Sequence, residues 1–137
     1  MVNNEFFGYH VELEAIDDAY LYRFNEADYL LVVNAGNRDK DWAHLQEIGA
    51  AYEGLKMRDR SSEMAMVSLQ GPLAKTLLQS LLPGGALPEP EKNALSKAFV
   101  SDVEVWLART GYTGEPLGFE LFIPPDRAVA ICRALIE

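Results

Sequence analysis

At 137 residues the chain has the length of one ordinary domain, and with 49% apolar residues it is not a disordered, collagenous or low-complexity chain. Acidic residues outnumber basic ones by 21 to 12, for a net charge of −9, and a surface of that sign argues against nucleic acid and against an anionic membrane as partners. The single cysteine, Cys132, and the two histidines exclude an intrachain disulfide and a conventional Cys/His zinc site, and such cysteine usage reads as cytoplasmic.

The start, Met1-Val2-Asn3-Asn4-Glu5, has no basic stretch of the kind that opens a secretory signal. The longest apolar run, Tyr29 to Val33, is far short of the ~20 residues that a spanning helix needs. Residues 1–18 carry a weak alternation at Tyr9 to Leu13, enough for a ragged edge strand. Ala19 to Phe24 places aromatics at period two, Asn25-Glu26-Ala27-Asp28 is turn chemistry, and Tyr29 to Val33 is continuously apolar. Together they predict a β-hairpin whose second strand is buried on both faces. Asn34-Ala35-Gly36-Asn37 ends that strand. Asn37 is the expected helix N-cap, Asp39 and Asp41 sit in the first turn, and Trp42, Leu45, Ile48 and Tyr52 predict an amphipathic helix over 38–52 that ends near Gly54. Asn37 to Asp41 also has the oxygen spacing of a calcium loop, but Trp42 stands where that loop needs Gly and Ile48 where it needs Glu. The helix-cap reading is therefore adopted.

Leu55 to Arg60 alternates apolar and charged residues and predicts a half-exposed strand; Met64 to Leu69 is apolar on both faces and predicts a central one. Gly71-Pro72 opens a helix carrying Leu73, Leu77, Leu78, Leu81 and Leu82, stopped by Pro83-Gly84-Gly85. Residues 83–97 read as a loop and Phe99-Val100 as a short strand; Val103 to Arg109 and Leu117 to Ile123 read as strands. Pro124-Pro125-Asp126 opens a last helix with Val129, Cys132, Leu135 and Ile136, where Cys132 is expected in the core. Hairpins mixed with helices predict a single α+β domain over 1–137: an antiparallel or mixed sheet with helices packed on it, partly ferredoxin-like in its β-α-β-β-α-β order.

Several motifs carry no chemistry. Ser68, Ser96 and Ser101 lack an elbow context, and His10 and His44 lack a paired nucleophile, so a catalytic triad is not expected. Gly111 to Glu115 lacks the Lys-Ser/Thr of a phosphate loop, and a strand rather than a helix follows it. The stretch Arg109-Thr110-Gly111-Tyr112-Thr113-Gly114-Glu115 remains. It is either a plain strand connection or a flat polar pocket. In the second case Glu115 could accept two parallel N–H bonds from an amidine-like edge, such as that of a pterin, and Tyr112 could pack on a ring.

With Gly118-Phe119-Glu120 after it, this stretch strongly resembles the signature of the glycine cleavage system T-protein family, the tetrahydrofolate-dependent aminomethyltransferases. Asp17-Asp18, Tyr29 to Ala35 with Asp41-Trp42, and Met66 to Pro72 with its Gln-Gly-Pro turn are similar to further parts of that family, so the resemblance covers about residues 15–137. It implies a folate-binding domain in which Glu115 contacts the pterin ring, Asn34 lies near the folate cleft, and Tyr112 and Arg109 line it. It implies tetrahydrofolate as the acceptor of a one-carbon unit. The donor would be an aminomethyl group on the lipoyl arm of an H-protein partner.

No catalytic residue is assigned. The resemblance places the family's catalytic aspartate in an upstream Asp-Val-Ser-His-Met-like segment, which this sequence lacks, and Asp17 and Asp18 are read as structural residues of the hairpin. A C-terminal barrel is also without a counterpart. The expectation is a central portion of such a protein, inactive alone, with a homodimer formed through surfaces left uncovered. Two other readings stand beside it: a folate-dependent demethylase or the folate domain of a dehydrogenase, and a non-enzymatic remnant that binds folate or a partner.

Overall fold

The computed structural model describes residues 2–6, 9–13, 15–87, 95–111 and 117–136, the first two segments as backbone only. The chain divides into two compact units, Met1–Leu21 with Tyr29–Met57, and Tyr22–Asp28 with Arg58–Glu137. Strands β1 (Val2–Phe6) and β2 (Tyr9–Leu13) pair antiparallel, from Val2 opposite Leu13 to Phe6 opposite Tyr9. The weak alternation thus belongs to a separate two-stranded hairpin, not to an edge of a larger sheet.

The second hairpin forms as expected from β3 (Tyr20–Arg23) and β4 (Tyr29–Val32). Its turn is built by Asn25, whose Oδ1 accepts the backbone N–H groups of Ala27 at 2.8 Å and Asp28 at 3.0 Å, an Asx turn. Strand β4 is not buried on both faces: Tyr29 is 50% and Leu31 37% exposed. A run of apolar residues reports affinity for a core, but neighbours decide whether both faces are covered. Helix α1 (Arg38–Gly49) follows a single 3₁₀ turn at Ala35–Asn37. It ends three residues earlier than its periodicity suggests, and Ile48 and Tyr52 are exposed.

The second unit carries a four-stranded antiparallel sheet in the order β5-β8-β7-β6, with β5 Ala65–Gln70, β6 Leu95–Val100, β7 Val103–Thr110 and β8 Gly118–Ile123. Helices α2 (Ala74–Ser80) and α3 (Pro125–Ile136) complete it. The fold class is α+β, as expected. The expected strand over 55–60 is absent, which interrupts the β-α-β-β-α-β succession there. Leu55 and Met57 are exposed, and among the described residues no strand pairs with them to supply a ladder. The turn that follows is held by Glu63, which accepts from Arg58 and Arg60.

Strand β5 is an edge strand, not a central one. Its residues alternate between half-buried and exposed, and Met66 is exposed. The central positions go to β7 and β8, where burial runs almost unbroken along β8. The strand expected at Phe99-Val100 begins at Leu95, inside the segment read as loop. Strands β6 and β7 join through Ser101 and Asp102, both at positive φ (47° and 64°), the geometry of a tight two-residue hairpin.

Alternation along the strands sorts the sheet's two faces. Val105 and Leu107 of β7 and Phe119, Leu121 and Ile123 of β8 pack with Leu78 of α2 and Ile131 and Leu135 of α3. Cys132 is half-buried rather than a core residue. On the opposite face, Tyr22 meets Phe122 edge-on at 6.1 Å and Phe24 meets Trp106 at 4.7 Å between ring centroids. That face also holds Glu120, whose Oε2 accepts the Tyr22 hydroxyl at 3.3 Å. No helix among the described residues is long and apolar enough to cross a membrane.

Two predictions follow from this packing. Leu121 is fully buried at the middle of the sheet, so Leu121→Ala should cost about 2–5 kcal/mol by urea denaturation, because the cavity adds to the lost transfer energy. Burial raises the Glu120 carboxyl above its ordinary 4.5, against the lowering effect of the Tyr22 hydroxyl. The folded state then holds the proton more tightly than the unfolded chain, so this contribution is full below 4.5 and is lost as pH rises through the raised value. Glu120→Gln keeps an acceptor for Tyr22 and removes the titration. Its melting temperature should fall less than that of the unmutated chain between acid and neutral pH.

Candidate functional site

Strand β4 ends at Val32, and Asn34 follows two residues later. There the backbone turns, and the Asn34 carbonyl accepts the Asn37 N–H at 2.9 Å. The Asn34 side chain faces the segment that leads into β3. Its Nδ2 donates to Asp18 Oδ1 at 2.7 Å, to Asp17 Oδ1 at 3.1 Å and Oδ2 at 3.3 Å, and to the Asp18 carbonyl at 3.2 Å. Two N–H groups are shared among four acceptors. That surrounding settles which end of the amide is nitrogen, because a carbonyl oxygen there would meet only oxygens. The Asn34 Oδ1 is left without a bond among the described residues and is available to a donor.

Asn37 occupies the N-cap position of α1 but makes no side-chain cap. Its Nδ2 donates to Asp17 Oδ1 at 2.9 Å. The expected cap is therefore replaced by a tie between the helix start and the Asp17 carboxylate. Lys40, one turn into the helix, reaches back to the Ile16 carbonyl at 2.6 Å. Asp17 and Asp18 do not lie in the hairpin; they precede β3 and serve as acceptors for the amides opposite.

Asp41 departs furthest from expectation. It is 5% exposed, although it was expected as a first-turn acid whose charge the helix dipole favours. Neither of its carboxyl oxygens receives a hydrogen bond from an N–H or O–H donor. The group it faces is Asp17. Burial raises the Asp41 carboxyl above the ordinary range, and the neighbouring Asp17 carboxylate adds to the rise. Burial also acts to raise Asp17, but the Asn34, Asn37 and Asp41 hydrogen bonds outweigh it and hold that carboxyl at about 2. Asp17, Asn37 and Asp41 were missed as a group because each is ordinary alone. The available signal was the density of Asp and Asn at 17, 18, 34, 37 and 41.

In the second unit, Arg109 and Thr110 are the last residues of β7, opposite Phe119 and Gly118 of β8. By alternation Arg109 falls on the helix-bearing face with Leu107, half-buried at the end of the strand. Thr110 is 1% exposed. A Cβ at Gly118 would lie 3.1 Å from Thr110 Oγ1 and 3.3 Å from Gln70 Cγ, so a larger residue at this point of the signature would crowd both side chains. Gly71, in the Gln-Gly-Pro turn after β5, adopts φ 122°, which side-chain-bearing residues avoid. Tyr112 and Glu115 lie outside the described residues. Of the expected site residues, Asn34 is thus placed in the first unit and Arg109 in the second. Among the described residues no group of three or more His, Cys, Asp or Glu is placed to hold a metal ion.

Residues 14–137 match the family described as the GCVT N-terminal domain. The chain is 46% identical over 122 residues to an aminomethyltransferase of Thermus thermophilus, covering 89% of this chain and 34% of that protein. It is 44% identical over 121 residues to an aminomethyltransferase of Deinococcus deserti (88% and 33% covered). It is 43% identical over 126 residues to one of Symbiobacterium thermophilum (89% and 33%). The chain spans about a third of the length of these curated relatives.

The amide–carboxylate network predicts its own titration. Asp17, held at about 2, adds stability above its ordinary 3.8, and this is lost as pH falls toward the lowered value. Asn34→Ala removes one of its donors. The Asp17 carboxyl midpoint, followed by carbon NMR, should move up in that variant, and acid unfolding should begin at a higher pH.

Proposed function

The chain belongs to the GCVT N-terminal domain family, and on that premise we propose that it forms a folate-facing part of an aminomethyltransferase of the glycine cleavage type. The observation that carries this reading is the fixed Asn34 amide. Its nitrogen is occupied by Asp17 and Asp18, and its exposed carbonyl oxygen is free to accept an N–H among the described residues. An acceptor locked in one orientation suits the amino and ring N–H edge of a reduced pterin, since no ordering cost remains to be met on binding. Glu115 would accept from the same kind of edge in two parallel bonds. Tyr112 and Arg109 would line the pocket.

Tetrahydrofolate, when bound, supplies the amine that takes up a one-carbon unit. The unit would come from an aminomethyl group on the lipoyl arm of an H-protein partner, with release of ammonia. The residues of this chain would bind and orient the pterin. No proton-transfer role is assigned to them. The reaction as a whole, like a cytoplasmic location, belongs to the proposal.

Calorimetric titration with tetrahydrofolate tests it, with Glu115→Gln and Asn34→Ala beside the unmutated chain. Glu115→Gln keeps the shape and removes the charge, and should weaken binding at least tenfold, or about 1.4 kcal/mol. Asn34→Ala should weaken it by less, about the worth of one hydrogen bond at 0.5–1.5 kcal/mol. Equal affinity in all three proteins would sink the assignment of both residues. No binding by the unmutated chain would show that these residues do not make a folate site by themselves.

A further inference from the structure

We propose that Asp41 is held as a neutral carboxylic acid that donates its proton to the Asp17 carboxylate, and that this acid–carboxylate pair is the positioning device that fixes the outward aim of the Asn34 carbonyl. The positioning role rests on the folate-facing reading of Asn34; the shared proton does not.

A buried ionised carboxylate needs donors, and without them it is strongly destabilising. Asp41 is 5% exposed, and both of its oxygens lack a donor. Three groups face it: Asp17 from the segment before β3, and Lys40 and His44 from its own helix. The Lys40 ammonium is bonded to the Ile16 carbonyl, and neither Lys40 nor His44 gives Asp41 a hydrogen bond. Two ionised carboxylates side by side would repel each other with nothing between them. One proton placed between them turns the repulsion into a short, charge-assisted hydrogen bond.

The donor count decides which partner keeps the proton. Asp17 already accepts from Asn34 and Asn37, which stabilise its charged form. Asp41 accepts from no donor, so its neutral form is favoured. The balance is simple: the O–H bond stays on Asp41, its hydrogen points to an Asp17 oxygen, and the pair carries one negative charge. Asp17 then has its lone pairs committed on two sides, to Asp41 and to the two asparagine amides. A carboxylate so held presents a fixed acceptor surface to Asn34 Nδ2. The far end of that amide, the free Oδ1, is fixed with it. A cation bridging the two aspartates is the competing explanation. It would have to share its site with the amide hydrogens of Asn34 and Asn37, which already point at Asp17.

The test uses carbon NMR of the aspartate carboxyls in the unmutated chain, with hydrogen exchange at the Asn34 side-chain amide as a second readout. Near neutral pH the Asp41 carboxyl should carry the chemical shift of a protonated acid, its midpoint raised above the ordinary 3.8. Asp41→Asn supplies an amide donor to Asp17 without a titratable proton. It should keep slow exchange at Asn34 and remove the loss of stability as pH rises through the Asp41 midpoint. Asp41→Ala should speed exchange at Asn34 by about tenfold, the loss of one hydrogen bond. An Asp41 carboxyl already ionised at neutral pH would overturn the proposal, as would saturable shifts of both carboxyls with magnesium or calcium. Equal exchange at Asn34 in all three proteins would overturn the positioning role. These readouts need no folate, so a chain that keeps the Asp41 proton yet fails to bind tetrahydrofolate counts against the functional reading alone.

Discussion

A carboxylate removed from water must be given donors, and the first unit is organised around meeting that demand at Asp17. Two asparagines from one turn, Asn34 and Asn37, supply them. In doing so they tie the end of β4 and the start of α1 to the segment before β3. Each tie replaces a local alternative. Asn37 gives up the cap that its position offers, and the helix start is anchored by a long-range bond instead. Lys40 adds a further strut by reaching the Ile16 carbonyl. The result is a turn whose side chains are directed by contacts across some twenty positions of sequence rather than by neighbours.

The second unit solves a different problem with a similar economy. Thr110 of β7 and Gly118 of β8 sit opposite each other in the ladder, so the described residues that flank the signature are held by a strand pair at the centre of the sheet. That centre is packed on one face by α2 and α3 and on the other by Tyr22 and Phe24. Gly118 has a packing reason for being glycine, because a side chain there would crowd Thr110 and Gln70.

What could be read in the sequence was local. Val103 to Arg109, Leu117 to Ile123 and the final helix each carry a period that matches the element formed. The hairpin at Tyr20 to Val32 was visible because Asn25 and Asp28 carry turn chemistry. Failures came where the outcome depended on a distant neighbour. Met64 to Leu69 looked central, and the strand formed there, Ala65–Gln70, is an edge, since β8 pairs with it on one side only. Leu55 to Arg60 has a strand's alternation and no partner. The family signature was legible as a pattern, but Tyr112 and Glu115 within it lie outside the described residues, and so the structure speaks to Arg109 and Asn34 alone. Asp41 was the furthest from view, because a charged residue in a first helical turn is read as solvated by default.

That default can be weighed against what surrounds Asp41. The positive end of the α1 dipole favours an ionised carboxylate in the first turn. The effect is modest at a wet surface and gives no hydrogen bond. Against it stand removal from water, the absence of any donor, and the negative charge of the neighbouring Asp17. Each of these disfavours the ion. The dipole therefore loses at position 41, whereas the exposed Asp39 in the same turn remains free to complement it. Two aspartates two residues apart are thus given opposite roles by their surroundings. The one that faces Asp17 is the one whose proton the fold retains.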